Sequence, residues 1–279
     1  MIKVGRFTQG FSLFLALIFI IPTIVVIGSS FTSGELLRFP PDGFSWRWYD
    51  EVIGDSALAE AFRNSLVVGV LAAVIAMATG ISLALAAARG RGIPRGFVTA
   101  LALTPLVVPL VVAAIGFYFV YVRIGLTGNI LGMAIAHAVL GIPYVFINVL
   151  AALTGLSPNV EEAARISGAS QLRTLVRITL PLVAPSAAIG GVLAFISSWE
   201  ELIVSLFLVT PDFKTVPVVL WGEIREGISP ATSAVATIVT LLSILASVLI
   251  ALVPWLRTKI RALVTKNGVH DVRNSREGL

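Results

Sequence analysis

The chain of 279 residues contains no cysteine and only two histidines. That excludes disulfides, thiolate metal sites and cysteine nucleophiles, and it leaves the redox compartment unmarked. Charge is also scarce. Asp, Glu, Lys and Arg make up 13% of the residues, against roughly 25% in soluble domains. The Gly-Lys pair of a phosphate-cradling Walker loop occurs nowhere, so the chain has no such device for hydrolysing ATP. Gly-x-Ser-x-Gly, His-Glu-x-x-His and paired Cys/His ligand spacings are missing too. No catalytic residue, metal ligand or cofactor is predicted for the chain itself, and it does not read as an enzyme.

What is present is apolar. Hydrophobic residues account for 57% of the chain and the mean hydropathy is +0.97, so lipid must be the solvent for much of it. A helix needs roughly 20 apolar residues to cross a bilayer. Six stretches qualify, at about 11–31, 65–88, 97–121, 130–153, 186–209 and 233–255. Backbone amides in lipid must be satisfied internally, which makes these helices. Lys3 and Arg6 ahead of the first run resemble a signal peptide, but the run is long and no small-x-small cleavage site follows. It is read as a retained span.

The net charge of +5 would suggest nucleic acid in a soluble protein, but here the basic residues fall in short loops. With the N-terminus inside, 14 of the 20 basic residues are cytoplasmic, including Arg89, Arg91, Arg95, Arg165, Arg173, Arg177 and Arg257. The outside holds nine acids, among them Asp42, Asp50, Glu51, Asp55 and Glu60. This is the positive-inside pattern for six spans with both termini in the cytoplasm. The aromatics Trp46, Trp48 and Tyr49 in the external segment 32–64 suit the membrane interface, and residues 56–64 can form an amphipathic lead into the second span. The tail beyond Arg261 is polar.

One inside loop, at about 154–185, is long and patterned. Pro158 suits a first helical turn, and Glu161 and Glu162 complement the helix dipole there. Ala163, Ala164, Ile166 and Ala169 keep one face small, and Gly168 permits a sharp break. Leu172, Leu175 and Val176 give a second short helix an apolar face, which Thr179-Leu180-Pro181 is expected to end. Such a helix–Gly–helix unit on the cytoplasmic surface is built to dock into another protein.

Glu162-Ala163-Ala164, then Gly168, Ile178, Leu180 and Pro181 at these spacings, resemble the EAA loop of the permease subunits of ABC importers. The likeness extends over about 58–256, and the entry Asn64-Ser65-Leu66 is similar to the opening of that family's core. The segment Trp46–Leu66 and the run from Ser198 to Leu208 are similar to its spermidine/putrescine-type branch, although an Asp-Asp or Asp-Glu pair is more usual there than Glu200-Glu201.

The resemblance implies an all-α membrane protein with the type I ABC importer permease (MetI-like) fold, N-in and C-in, in the bacterial inner membrane. It implies a first helix and external loop over 1–57, a transmembrane core over 58–256 and a cytoplasmic tail over 257–279. It further implies that Glu161, Glu162, Ala163, Ala164, Gly168, Ile178, Leu180 and Pro181 couple the chain to a cytoplasmic ATPase dimer, which alone uses ATP. A second permease subunit and an external substrate-binding protein complete the expected partners, besides membrane lipid and without nucleic acid.

Glu200 and Glu201 are the only carboxylates within a predicted span. A charge at the bilayer centre costs about 2.5–3.5 kcal/mol on insertion scales, so these acids need a reason. Neighbours on a helix point about 100° apart, which allows one to line a pathway while the other meets a helix. An ionised pathway acid suits a cationic solute such as a polyamine, and Trp199 can face its ammonium. The other reading is that the acids pair with polar groups between helices and Trp199 simply packs. His137 reads as a hydrogen-bonded interhelical histidine, with a proton relay as the alternative. Pro105, Pro109 and Pro143 are expected to kink their spans. Gly128-x-x-x-Gly132 and Gly190-Gly191 permit close helix approach. An importer of anionic or neutral solutes, a proton-coupled secondary transporter and a membrane scaffold remain as other classes.

Overall fold

The computed structural model describes residues 5–90 and 92–248. Lys3, Arg91, the end of the expected sixth span (249–255) and the tail 257–279 lie outside the described residues. The elements are helices: α1 (Arg6–Ser29), α2 (Arg47–Gly54), α3 (Ser56–Arg89), α4 (Arg95–Val107), α5 (Leu110–Ile124), α6 (Ile130–Gly155), α7 (Pro158–Ile166), α8 (Gln171–Thr174), α9 (Leu180–Trp199), α10 (Ile203–Leu208), α11 (Val216–Glu226) and α12 (Pro230–Val248). A π-helical turn, Leu175–Thr179, joins α8 to α9, so Gln171–Trp199 is one continuous helix of 29 residues.

Among the described residues five helices are long and apolar enough to span alone: α1, α3, α6, the α8–α9 helix and α12. The third expected span is not one helix. At 1.5 Å per residue α4 and α5 are each only about 20 Å long, short of the roughly 30 Å hydrocarbon core. They meet at a bend of 99°, and six spans result when the pair is counted as one. Proline explains the break. Pro109 cannot donate to the helical ladder, and its ring drives Val108 out of the α region; both residues are extended, at ψ 126° and 130°. Pro105, by contrast, sits inside α4 without ending it, and Pro143 lies buried within a continuous α6.

The fifth span also departs from expectation. Thr179-Leu180-Pro181 does not stop a short helix; the chain passes through the π turn and continues to Trp199. Pro181 has no N–H to offer the carbonyl of Arg177, so the regular ladder is already interrupted where the π turn forms. The helix then ends at Glu200, in the middle of the expected 186–209 span, and restarts at Ile203.

Two compact units can be distinguished: residues up to Ser65 with Pro211–Ser243, and Leu66–Thr210 with the residues from Ile244 on. In the first, Trp48, Val52, Leu58, Ala61, Val216, Ala234 and Val235 form the core. The Trp48 indole N–H donates to the Thr32 carbonyl at 2.8 Å, and the Tyr49 and Ser30 hydroxyls lie 2.7 Å apart. Asn64 donates to the Lys214 carbonyl at 3.2 Å, and the Ser65 hydroxyl accepts from the Val216 amide at 2.9 Å. The Asn64-Ser65 pair of the family-like opening thus ties α3 to the entry of α11.

In the second unit α6 is the centre and packs chiefly on α9. Lipid offers no hydrophobic force between helices, so small residues that let backbones approach set this contact. A Cβ on Gly190 would lie 2.5 Å from the Val145 Cα, and one on Gly141 would lie 2.8 Å from the Ala194 Cβ. Gly128 and Gly132 do not serve this purpose. Gly128 precedes α6 with φ +66°, and Gly132 sits in its first turn, where its amide donates to the Asn129 cap at 2.8 Å. Gly190→Ala is expected to lower the thermal midpoint in detergent by the equivalent of about 1–3 kcal/mol, the cost of overpacking. Gly116→Ala, which meets nothing within 4 Å, should leave the midpoint unchanged or raise it.

Candidate functional site

The cytoplasmic loop is built around α7. Its C-terminus is closed by Gly168, whose φ of +86° is strained for any residue with a Cβ. The Ala169 amide donates to the Ala164 carbonyl and the Gly168 amide to the Arg165 carbonyl, both at 3.0 Å, the paired bonds of a left-handed helix stop. Ser170 then caps α8, accepting from the Arg173 amide. The two acids of the first turn part company. Glu162 is exposed, whereas Glu161 is turned in: its Oε2 accepts from Arg89 Nε at 3.0 Å and its Oε1 from the Thr179 hydroxyl at 3.1 Å. Around Glu162 the surface carries unpaired apolar side chains, with Ile166 82%, Leu172 70% and Val176 52% exposed. Ala163 and Pro181 are exposed, and Ala164, Ile178 and Leu180 half-buried. The result is a small, stiffly terminated helix that carries an exposed carboxylate beside exposed apolar side chains.

At the other candidate site Glu200, Glu201 and Leu202 form a non-helical link between α9 and α10. The acids therefore do not share a helix as the sequence suggested. Glu200 is exposed. Glu201 is half-buried, and its Oε1 accepts from the Val204 amide at 2.7 Å, capping α10. Trp199 is buried and stacks on Phe195, with ring centroids 5.9 Å apart.

The link is held by a polar clasp around His137, the interhelical histidine read from the sequence, with serine partners that the sequence did not indicate. His137 of α6 is 2% exposed, with Nδ1 2.8 Å from the Ser198 hydroxyl and Nε2 3.2 Å from that of Ser205. Ser205 also donates to the Glu201 carbonyl at 2.9 Å. One imidazole thus bridges the end of α9 and the start of α10, as an interhelical histidine does. Among the described residues no cluster of His, Asp and Glu has metal-ligand geometry.

The sequence family described as "Binding-protein-dependent transport system inner membrane component" matches residues 76–258. The chain belongs to this family. Over 252 residues it is 31% identical to the spermidine/putrescine transport system permease protein PotC of Escherichia coli K12, covering 89% of this chain and 95% of that protein. It is 28% identical over 265 residues to the putrescine transport system permease protein PotI of the same organism, covering 92% and 91%. A bacterial ABC transporter involved in importing the acidic polysaccharide alginate contains a chain of the same fold, with a TM-score of 0.64 at 20% identity over 92% of this chain and 99% of that one. The protein is a multi-pass inner-membrane permease subunit of an ABC importer, not an enzyme.

The clasp yields a test. Interhelical hydrogen bonds in membranes are worth about 1–2 kcal/mol in model peptides. His137→Leu should therefore loosen the link and increase the labelling of Leu202→Cys by a membrane-impermeant thiol reagent. The chain has no cysteine of its own, so the background is nil. His137→Gln, which keeps a donor and an acceptor, should recover part of the protection.

Proposed function

We propose that this permease translocates a polyamine or a similar cationic solute past Glu200 and Glu201, and that α7 docks it to a separate ATPase. The observation that carries the substrate reading is the break at Glu200–Leu202. It puts two carboxylates on irregular backbone between two apolar helices, where an ionisable group is costly and calls for a purpose. Irregular backbone at membrane depth is tolerated where protein buries it or where it lines a cavity, and transporters place their binding groups at such discontinuities. The named transport roles of the two relatives point the same way. Trp199 is buried against Phe195 and does not offer an open ring face to a solute.

Docking is supported by the exposed Glu162 and by the stop at Gly168. Two permease subunits frame one pathway in this reading, with an ATPase dimer beneath and an external binding protein delivering solute to the outer segments 32–64 and 210–232. Closing of the ATPase dimer on ATP moves α7 and re-orients the spans.

The assembled transporter in proteoliposomes tests both parts. Uptake should be competed by putrescine and spermidine and not by small anions. A hydrogen bond to a charged group is worth about 1.5–3 kcal/mol, so losing the pathway carboxylate by Glu200→Gln or Glu201→Gln should weaken apparent affinity by about 10- to 100-fold. If both variants take up polyamines as the parent does, the acids are structural. Competition by anions alone would replace the cationic reading with an anion importer. Gly168→Val should abolish transport-coupled ATP hydrolysis while the chain still inserts.

A further inference from the structure

The inward acid of α7 does something other than dock. The Glu161 carboxylate has both oxygens occupied within the chain: Arg89 Nε on Oε2 at 3.0 Å and the Thr179 hydroxyl on Oε1 at 3.1 Å. Arg89 is the last residue of α3, and its Nη2 also donates to the Leu153 carbonyl near the end of α6, at 3.3 Å. Thr179 is 3% exposed and ends the π turn that feeds α9. Three bonds therefore connect α7 to α3, α6 and α9. The pair is partly withdrawn from water, with side chains 33% and 22% exposed, so it is screened less than a surface ion pair.

A cavity of about 530 Å³ lies beside this junction, lined by Arg89, Glu161, Arg165, Thr174 and Thr179 among others. It leaves room for α7 to shift against the bundle. The π turn is the other element able to yield, because its extra residue can be absorbed into a regular helix by a change of hydrogen-bond register.

We infer that Arg89, Glu161 and Thr179 form the latch that carries displacement of α7 into the membrane helices, with Glu161 as a positioning residue rather than an ATPase contact. This inference rests on the reading that α7 docks an ATPase and adds the intramolecular half of the path. A displaced α7 takes the Glu161 carboxylate with it. Through Arg89 it pulls the cytoplasmic ends of α3 and α6, and through Thr179 it pulls the π turn and α9. Glu162, one residue on and exposed, is left for the partner.

The test uses the complete transporter in proteoliposomes, with solute uptake and ATP hydrolysis measured on the same samples and assembly checked by co-purification. Glu161→Gln, Arg89→Met and Thr179→Val should each lower uptake about 10-fold while hydrolysis falls less than 2-fold, so transport per ATP drops at least 5-fold. Thr179→Ser, which keeps the hydroxyl, should restore the parental ratio. The double variant Arg89→Met/Glu161→Gln should be no worse than the more affected single variant, because both remove the same link. Uptake and hydrolysis falling in equal proportion would overturn the latch and make Glu161 a docking or folding residue. Unchanged ratios, or losses that multiply in the double variant, would overturn it as well. A cysteine at Glu162 that cross-links to the ATPase in all variants separates failure of the latch from failure of docking. If that cross-link is missing in the parent background, both readings fall together.

Discussion

A bilayer interior offers a peptide group no water, so each stretch of non-helical backbone within the apolar part of this chain must find its hydrogen bonds in the protein. Among the described residues the chain leaves regular α-helix at three places inside its apolar helical segments: Val108–Pro109, Leu175–Thr179 and Glu200–Leu202. Each has its own compensation. At the first, Pro109 has no N–H to satisfy. At the second, a π turn keeps the ladder going with wider hydrogen bonds. At the third, the Glu201 side chain caps α10 and the His137 clasp holds the two helix ends.

The same constraint decides what holds the second unit together. Lipid tails are as apolar as leucine, so burying leucine between helices gains little, and close packing of small residues takes over. The α6–α9 contact follows this rule through Gly141, Gly190, Ala194 and the backbone at Val145. It brings His137 and Ser198 within hydrogen-bond distance, next to the break at Glu200. Packing of small residues and placement of charge are thus linked through one imidazole.

At the cytoplasmic end the logic is that of water-exposed proteins. Gly168 supplies the positive φ that stops α7, and Ser170 restarts the helix. The two adjacent acids take opposite roles because they point in different directions from one helix. Glu162 is presented outward with the apolar Ile166 and Leu172, while Glu161 is spent on the chain's own helices. The exposed face of α7 is thus joined to the bundle by charged, partly buried bonds rather than by apolar contact alone.

Much was legible in the sequence. Apolar length gave the spans, loop charge gave the sidedness, and the run from Glu162 to Pro181 gave the family. These are local properties, carried by composition and by short spacing. Three features were not legible, for physical reasons. No glycine or proline lies at Glu200–Leu202 to announce a break, and the residue that joins the two flanking helix ends, His137, lies 61 residues before Ser198 and 68 before Ser205. Thr179-Leu180-Pro181 reads as a stop, yet a π turn absorbs the proline and lets the helix run on. Arg89 and Glu161, 72 residues apart, read as a loop charge and a dipole partner until folding joins them. By itself the sequence determined solvent, element type, orientation and family, since periodicity, charge bias and short spacings are written along the chain. Tertiary structure alone decided where the helices break and which charges meet, because both depend on groups brought together across dozens of residues.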